Sequence, residues 1–392
     1  MSDEDRGSPN PEVESFFTAG GGGGNRYLQR LRLSDGSRLH RARLAVALTT
    51  LAWLPVLILA MVDGVALGRG VEVPFVRDFL PYGQLLVAIP VLVLGEIAAR
   101  RRLALAAGEL QSSGVVAAGD LGVLDAVLHR AVGLGGGRTV NVVVLALTLA
   151  ATVISFLGAK VWLTGGWQVS GDNLTLPGFW YLFVSLPVMR FLALRWLWRA
   201  ALWAWVLWRV ARLELVPKPM HPDRAGGFAF LGEAQTAFGV LVFCFGVQLS
   251  CLAADSVVYR GADLMAYKGE VIAFLVTSVA TLLLPLLAFA PKLVRAREEQ
   301  LAVLSGHGHH GAEYIGRRLG SGTWGTDAPA DEISGLADFG ALYENARLMR
   351  PLPIDTRGVV MLVLAAAVPF VPLIFLVMPA KEVMRTLASL LL

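Results

Sequence analysis

From Pro177 to Val210 the chain reads PGFWYLFVSLPVMRFLALRWLWRAALWAWVLWRV, and it leaves this run through Arg212 for the turn His221-Pro222-Asp223-Arg224-Ala225-Gly226-Gly227. The run is apolar for longer than the about 20 residues a helix needs to cross a bilayer core, yet it carries Arg190, Arg195 and Arg199. A guanidinium among acyl chains is expensive, so such a residue turns inward, toward partners or water. This stretch therefore predicts a helix packed inside a membrane bundle.

Composition extends that reading to the whole chain. Of 392 residues, 55% are hydrophobic and only 16% charged. That balance fits a protein whose main solvent is lipid. A net charge of +4 raises the question of nucleic acid, but the basic residues lie in short segments beside apolar runs. There they signal orientation, and no nucleic-acid partner is expected. The N-terminus is acidic and the first apolar run begins near Leu44, so the first span itself is expected to direct insertion. Cys244 and Cys251 lie seven apart on one predicted helix. They are too far apart for a disulfide and read as buried small apolar residues.

Apolar runs of spanning length fall at about 44–68, 82–99, 139–163, 178–200, 228–254, 269–291 and 358–378. The fold class is thus all-α, a polytopic transmembrane bundle of about seven spans. Residues 1–43 read as a disordered, basic N-terminal tail, 44–99 as two spans and 100–138 as a helical insertion. Residues 139–291 hold four further spans and the turn 221–227, and 292–357 a loop followed by a helix over Gly335 to Met349. Residues 358–392 hold the last span and an amphipathic end, with the side reached by the C-terminus left open. The two insertions form a small helical cap. With the N-terminus inside, 25 of the 34 lysines and arginines fall in inner segments and 6 in outer ones, which predicts a cytoplasmic N-terminus. Reading 178–212 as two crossings reverses that bias, so a single long helix is preferred, with Trp196, Trp198, Trp203, Trp205 and Trp208 at the interface.

Within this frame Arg190, close to the centre of the fourth span, is the leading candidate for a charge lining an ion or solute path. Glu233, Asp255 and Glu270 are its candidate partners, Glu233 foremost because Asp255 and Glu270, like Asp63 and Glu96, lie nearer span ends where acids face headgroups. The competing structural role for Arg190 is an ion pair, or a clamp on the carbonyl freed by Pro187. Arg195 and Arg199 lie nearer the inner face and are expected to snorkel. His221, Asp223 and Arg224 stand at the inner mouth, where His and Asp side chains can share a proton or metal. The structural reading has Asp223 cap the next helix while Gly226 and Gly227 shape the turn. Pro55, Pro90, Pro187, Pro285, Pro369 and Pro372 interrupt spans, as in transporters and also in ordinary kinked bundles. His307, His309 and His310 are weak metal candidates within a Gly/His loop. Otherwise no metal site and no cofactor is expected, and no soluble-enzyme motif such as a Walker loop or HExxH is present.

Arg195-Trp196-Leu197-Trp198-Arg199, followed by the His221 to Gly227 turn, resembles a family of uncharacterised multi-pass bacterial inner-membrane proteins in which an RWxWR helix leads into an HPDxxGG turn. The resemblance extends through Pro285 to Arg297 and Leu336 to Ile354. It implies a bacterial inner-membrane location and lends no activity. The expectation is a homo-oligomeric channel or transporter for a small ion or solute. A non-catalytic scaffold recruiting a cytoplasmic or envelope partner is the alternative, and a membrane-embedded metal-dependent enzyme stands third.

Overall fold

In lipid a backbone amide finds no water to bond, so a run of apolar residues closes its hydrogen bonds within a helix. The computed structural model of the protein follows that rule almost throughout; it describes residues 38–68, 71–162, 166–171, 173–320 and 330–377. Among these, seven helical stretches are long and apolar enough to cross a membrane: Leu39–Val62, Phe79–Ser112, Arg138–Gly158, Leu176–Val210, Phe230–Arg260, Leu264–Leu287 and Thr356–Leu373. The protein is a multi-pass α-helical membrane protein, as the sequence predicts. The tail before residue 38 and the amphipathic end after residue 377 lie outside the described residues.

The first span is α1 (Arg38–Val62), which begins before the apolar run itself. The second joins α2 (Phe79–Tyr82), a π-helical turn (Gly83–Ala88) and α3 (Ile89–Ser112). It runs well past 99, where the apolar stretch ends. After α4 (Leu121–Gly136) comes the third span in α5 (Arg138–Trp162). A short hairpin, β1 (Val169–Ser170) against β2 (Asn173–Leu174), leads into the fourth, which joins α6 (Leu176–Trp180), a second π turn (Tyr181–Ser185) and α7 (Leu186–Val210). The fourth span is one continuous helical stretch, about 52 Å long.

The fifth span joins α8 (Phe230–Gln235), a 3-10 turn and α9 (Gly239–Arg260), and the sixth is α10 (Lys268–Leu287). Two helices outside the membrane-length set, α11 (Ala290–Gly320) and α12 (Ala330–Arg347), pack on each other. The Gly/His stretch at 306–310 therefore lies inside α11 and is not a loop. Glycine weakens a helix without forbidding it, and the flanking residues carry the turn. The seventh span joins α13 (Thr356–Ala367), a 3-10 turn holding Pro369, and α14 (Val371–Val377).

Both π turns have one cause. Pro90 and Pro187 stand just after them, and each lacks an N–H while crowding the carbonyl four residues back. Widening the preceding turn absorbs the mismatch without breaking the helix. Pro285 behaves differently, because it falls in the last turn of α10 and ends that helix rather than interrupting a span.

The elements fix two ends of the bundle. One carries the His221 turn with residues 113–137, 290–320 and 330–355, tied by Ala117 N–H to Glu214 O (2.9 Å), Lys218 Nζ to Ser113 O (2.8 Å) and Lys292 Nζ to Leu213 O. The other carries 63–68, 71–78, 166–171, 173–175 and 261–267, tied by Leu176 N–H to Asp63 Oδ2 (3.1 Å) and Tyr259 Oη to Arg77 O (2.6 Å). The apolar core divides into a large cluster toward the His221 end, built on Leu103, Leu124, Trp196, Trp203, Phe228, Phe238 and Phe289, and two smaller ones, around Phe75, Trp167 and Tyr181 and around Ala253, Phe370 and Leu373.

Van der Waals fit, rather than water exclusion, holds helices together in lipid. Gly232, Gly239 and Gly246 recur every seven residues along the fifth span, and the seventh lies against them: a Cβ at Gly239 would meet Ala365 at 3.3 Å and one at Gly246 would meet Pro369 at 3.0 Å. The third span presents Val142, Leu145, Leu149, Val153, Ile154 and Leu157 outward. An apolar face of that extent has lipid as its partner. Trp196 and Trp203 do not sit at the interface but are buried, with Trp196 Nε1 donating to Leu92 O (2.9 Å); Trp208 is exposed, its ring under the Arg212 guanidinium.

Candidate functional site

Arg190 is half-buried, and its guanidinium is committed to the third span: Nη1 donates to Ala151 O (3.1 Å) and Nη2 to Ser155 Oγ (2.7 Å). It clamps a carbonyl of the neighbouring helix, not the one freed by Pro187. Glu233 lies in the first turn of α8, exposed, on the side of Glu109, so the structure does not bring Arg190 and Glu233 together.

Arg199 does not snorkel. It is buried and ion-paired to Glu96 of the second span, which also receives Arg41 of the first and, at 3.2 Å, Arg100 from the next turn of its own helix. Arg195 is held by Asn141 Oδ1 at 3.3 Å. His307, His309 and His310 are exposed on α11, and no group of three or more His, Cys, Asp or Glu side chains converges to hold a metal among the described residues.

In the His221 turn, Asp223 works as a lock. Its carboxylate accepts the amides of Ala225 (2.8 Å), Gly227 (3.1 Å) and Ala229 (3.1 Å), and His221 Nδ1 lies 2.9 Å away. Arg224, Gly226 and Gly227 take positive φ, the backbone conformation this tight reversal needs. The peptide oxygens turned outward then bind Arg350, whose backbone N–H reaches Arg224 O (2.8 Å) and whose guanidinium reaches Asp223 O (2.7 Å). Gly226 leaves room for the Met349 side chain rather than for a second backbone.

Burial works to raise the Asp223 carboxyl, but the three amides and His221 outweigh it and hold the group below its ordinary range. Asp223→Ala is expected to cost about 2–3 kcal/mol, the loss of a cap plus charge-assisted bonds. A carboxyl lowered on folding stabilises above its unfolded pKa, and that contribution fades as pH falls through the lower folded value. The gap in melting temperature between wild type and variant should thus be constant near neutrality and shrink below about pH 4. A gap independent of pH there would remove the ionised lock.

The densest constellation of buried polar side chains lies at the opposite end. Asp78 caps α2 by accepting from Leu80 N–H (3.1 Å), and its other oxygen accepts from Trp167 Nε1 (2.8 Å) and Gln168 Nε2 (3.1 Å). Asp255, on the fifth span, accepts from Phe79 N–H (3.0 Å), so the two carboxyls hold neighbouring amides at the start of the second span. Burial pushes Asp78 above the usual carboxylate range, against the opposing pull of Trp167, Leu80 and Gln168.

A glutamine rung continues inward from the pair. Tyr181 Oη donates to Gln84 Oε1 (2.5 Å) and Gln84 Nε2 to Gln248 Oε1 (3.3 Å), so the second, fourth and fifth spans meet at side chains of both π turns. Gly83 lets the fifth span approach: a Cβ there would stand 2.5 Å from Cys251 Sγ. Both cysteines are free, Cys244 buried and Cys251 partly so.

In the sequence Asp255 looks like an end-located acid, and Asp78, Gln84 and Gln248 belong to no motif. A signal was nevertheless present, since Cys244, Gln248, Cys251 and Asp255 are spaced four, three and four apart, a single polar stripe on an otherwise apolar helix. Comparison of the chain with protein-family profiles, curated proteins and solved structures finds no match.

Proposed function

We propose that the protein moves a small ion or solute across a bacterial inner membrane, coupled to protonation of the Asp78–Asp255 pair. The supporting observation is a pair of acids, Asp78 buried and Asp255 partly so, that hold consecutive amides where the second span begins, just before its π turn. Intramembrane or membrane-edge acids that face a bundle's interior mark proton relays. A π turn can pass its extra residue along the helix, which gives the Tyr181–Gln84–Gln248 rung a way to re-pair. The bias of basic residues supports a cytoplasmic N-terminus, and with it a carboxyl pair near the outer face. Homo-oligomer formation belongs to the same reading. The path shifts from Arg190 to the carboxyls because Arg190 already spends two donors on the third span.

The test is proton flux into liposomes holding purified protein and a trapped pH dye. Asp255→Asn is expected to lower flux about a hundredfold, the low end of what a proton-transferring side chain contributes, with the fold intact. Flux equal to wild type would end the reading. The alternative, a scaffold recruiting a cytoplasmic protein, draws on the α11–α12 pair, whose exposed charges include Arg295, Glu299 and Glu344. Stoichiometric crosslinking to a partner with no flux in any condition would favour it.

A further inference from the structure

Three guanidiniums converge on one carboxylate in the half of the bundle nearer the His221 turn. Arg41, Arg100 and Arg199 all pair with Glu96, and Arg195 lies within electrostatic reach of Arg41, Arg199 and Glu96. Among the described residues four guanidiniums thus gather around Glu96, with side chains no more than 20% exposed in the three paired arginines. Guanidiniums gathered this closely are suited to hold an anion. One donor there is also idle: Arg100 Nε is buried with no hydrogen-bond partner among the described residues.

Their height in the bundle is set by helix geometry. The fourth span starts at Leu176 and the second at Phe79, both at the far end of the bundle. At a rise of ~1.5 Å per residue, Arg195, Arg199 and Arg100 all lie roughly 30 to 35 Å along the axis from those starts. Arg41 stands at the start of the first span, which opens at Leu39. With a hydrocarbon core about 30 Å thick, all four meet the plane of the lipid phosphates. Planar guanidiniums match phosphate oxygens two at a time.

We propose that this cluster is a phosphate-binding site, occupied by the phosphodiester of an anionic lipid in the leaflet at the His221 end. The site does not depend on any transport activity. Protein in phosphatidylcholine nanodiscs doped with phosphatidylglycerol should retain that lipid through delipidation and native mass spectrometry. Arg41→Gln/Arg100→Gln should weaken retention about thirtyfold, while the exposed pair Arg101→Gln/Arg102→Gln leaves it unchanged. Equal loss in both variants would reduce binding to surface attraction and overturn the site.

Inorganic phosphate added to pure phosphatidylcholine discs supplies the second arm. If it raises the melting temperature as phosphatidylglycerol does, the lipid assignment is overturned in favour of soluble phosphate. Wild-type protein provides a measurement free of folding defects: phosphatidylglycerol carrying a photoreactive headgroup should label peptides containing Arg41, Arg100 or Arg199. Labelling confined to other segments would overturn the proposal.

Discussion

Gly232→Ala is expected to destabilise the protein by about 3 kcal/mol, at the upper end of what overpacking costs. The added Cβ would collide with Pro353 O and stand 2.7 Å from Ile354 Cα, so the obstruction is backbone, not a side chain able to swing away. Relief requires the segment entering the seventh span to retreat. That segment follows directly on Arg350, so the displacement also loosens the clamp on the His221 turn. Thermal melting in detergent, followed by tryptophan fluorescence, checks the result against Gly108→Ala. Gly108 is a helix-interior glycine with open space around it, and that change should be neutral or stabilise by about 0.5–1 kcal/mol. Melting of Gly232→Ala within a degree of wild type would mean that the fifth span and the segment entering the seventh do not touch as described.

Glu96→Ala should be worse. Removing one member of a buried ion pair typically costs about 3–5 kcal/mol, because the surviving charge stays behind. Here three guanidiniums lose their shared carboxylate together, and they repel one another across the first, second and fourth spans. The expected signs are poor recovery from detergent extraction and a lower denaturant midpoint. A double-mutant cycle with Arg199→Leu separates lost pairing from lost shape, and a coupling of about 1–3 kcal/mol is expected for residues in direct contact. Strict additivity of the two changes would refute the pair. The cost should be milder in membranes rich in anionic lipid if phosphate stands beside Glu96 at this height, which links the measurement to the proposed lipid site.

The spans were legible because lipid makes one demand that every residue in a run must meet, and the count of apolar residues reports it directly. Pro90 and Pro187 were legible as interruptions for the same local reason, since a missing N–H is a property of the residue and not of its surroundings. The lock formed by Asp223 was also readable, as a short-range capping pattern. Partners were not. Arg190 and Arg199 look alike in the sequence, two arginines on one apolar helix, yet one holds a carbonyl of the third span and the other an acid of the second. Nothing local distinguishes them, because that choice depends on how α7 is rotated against its neighbours.

By itself, then, the chain determined its solvent, its crossings, the places where helices are strained and the turn that Asp223 ties. These follow from backbone hydrogen bonding and from transfer of side chains into hydrocarbon, both summed residue by residue. Tertiary structure alone decided that Asp255, from a distant part of the chain, holds the amide beside the one Asp78 caps, that Gln84, Tyr181 and Gln248 form one rung, and that Arg41, Arg100 and Arg199 share Glu96. Polar groups drawn out of water must find one another wherever packing allows. Packing is set by the shapes of whole helices, with glycines such as Gly83 and Gly232 admitting the close approaches.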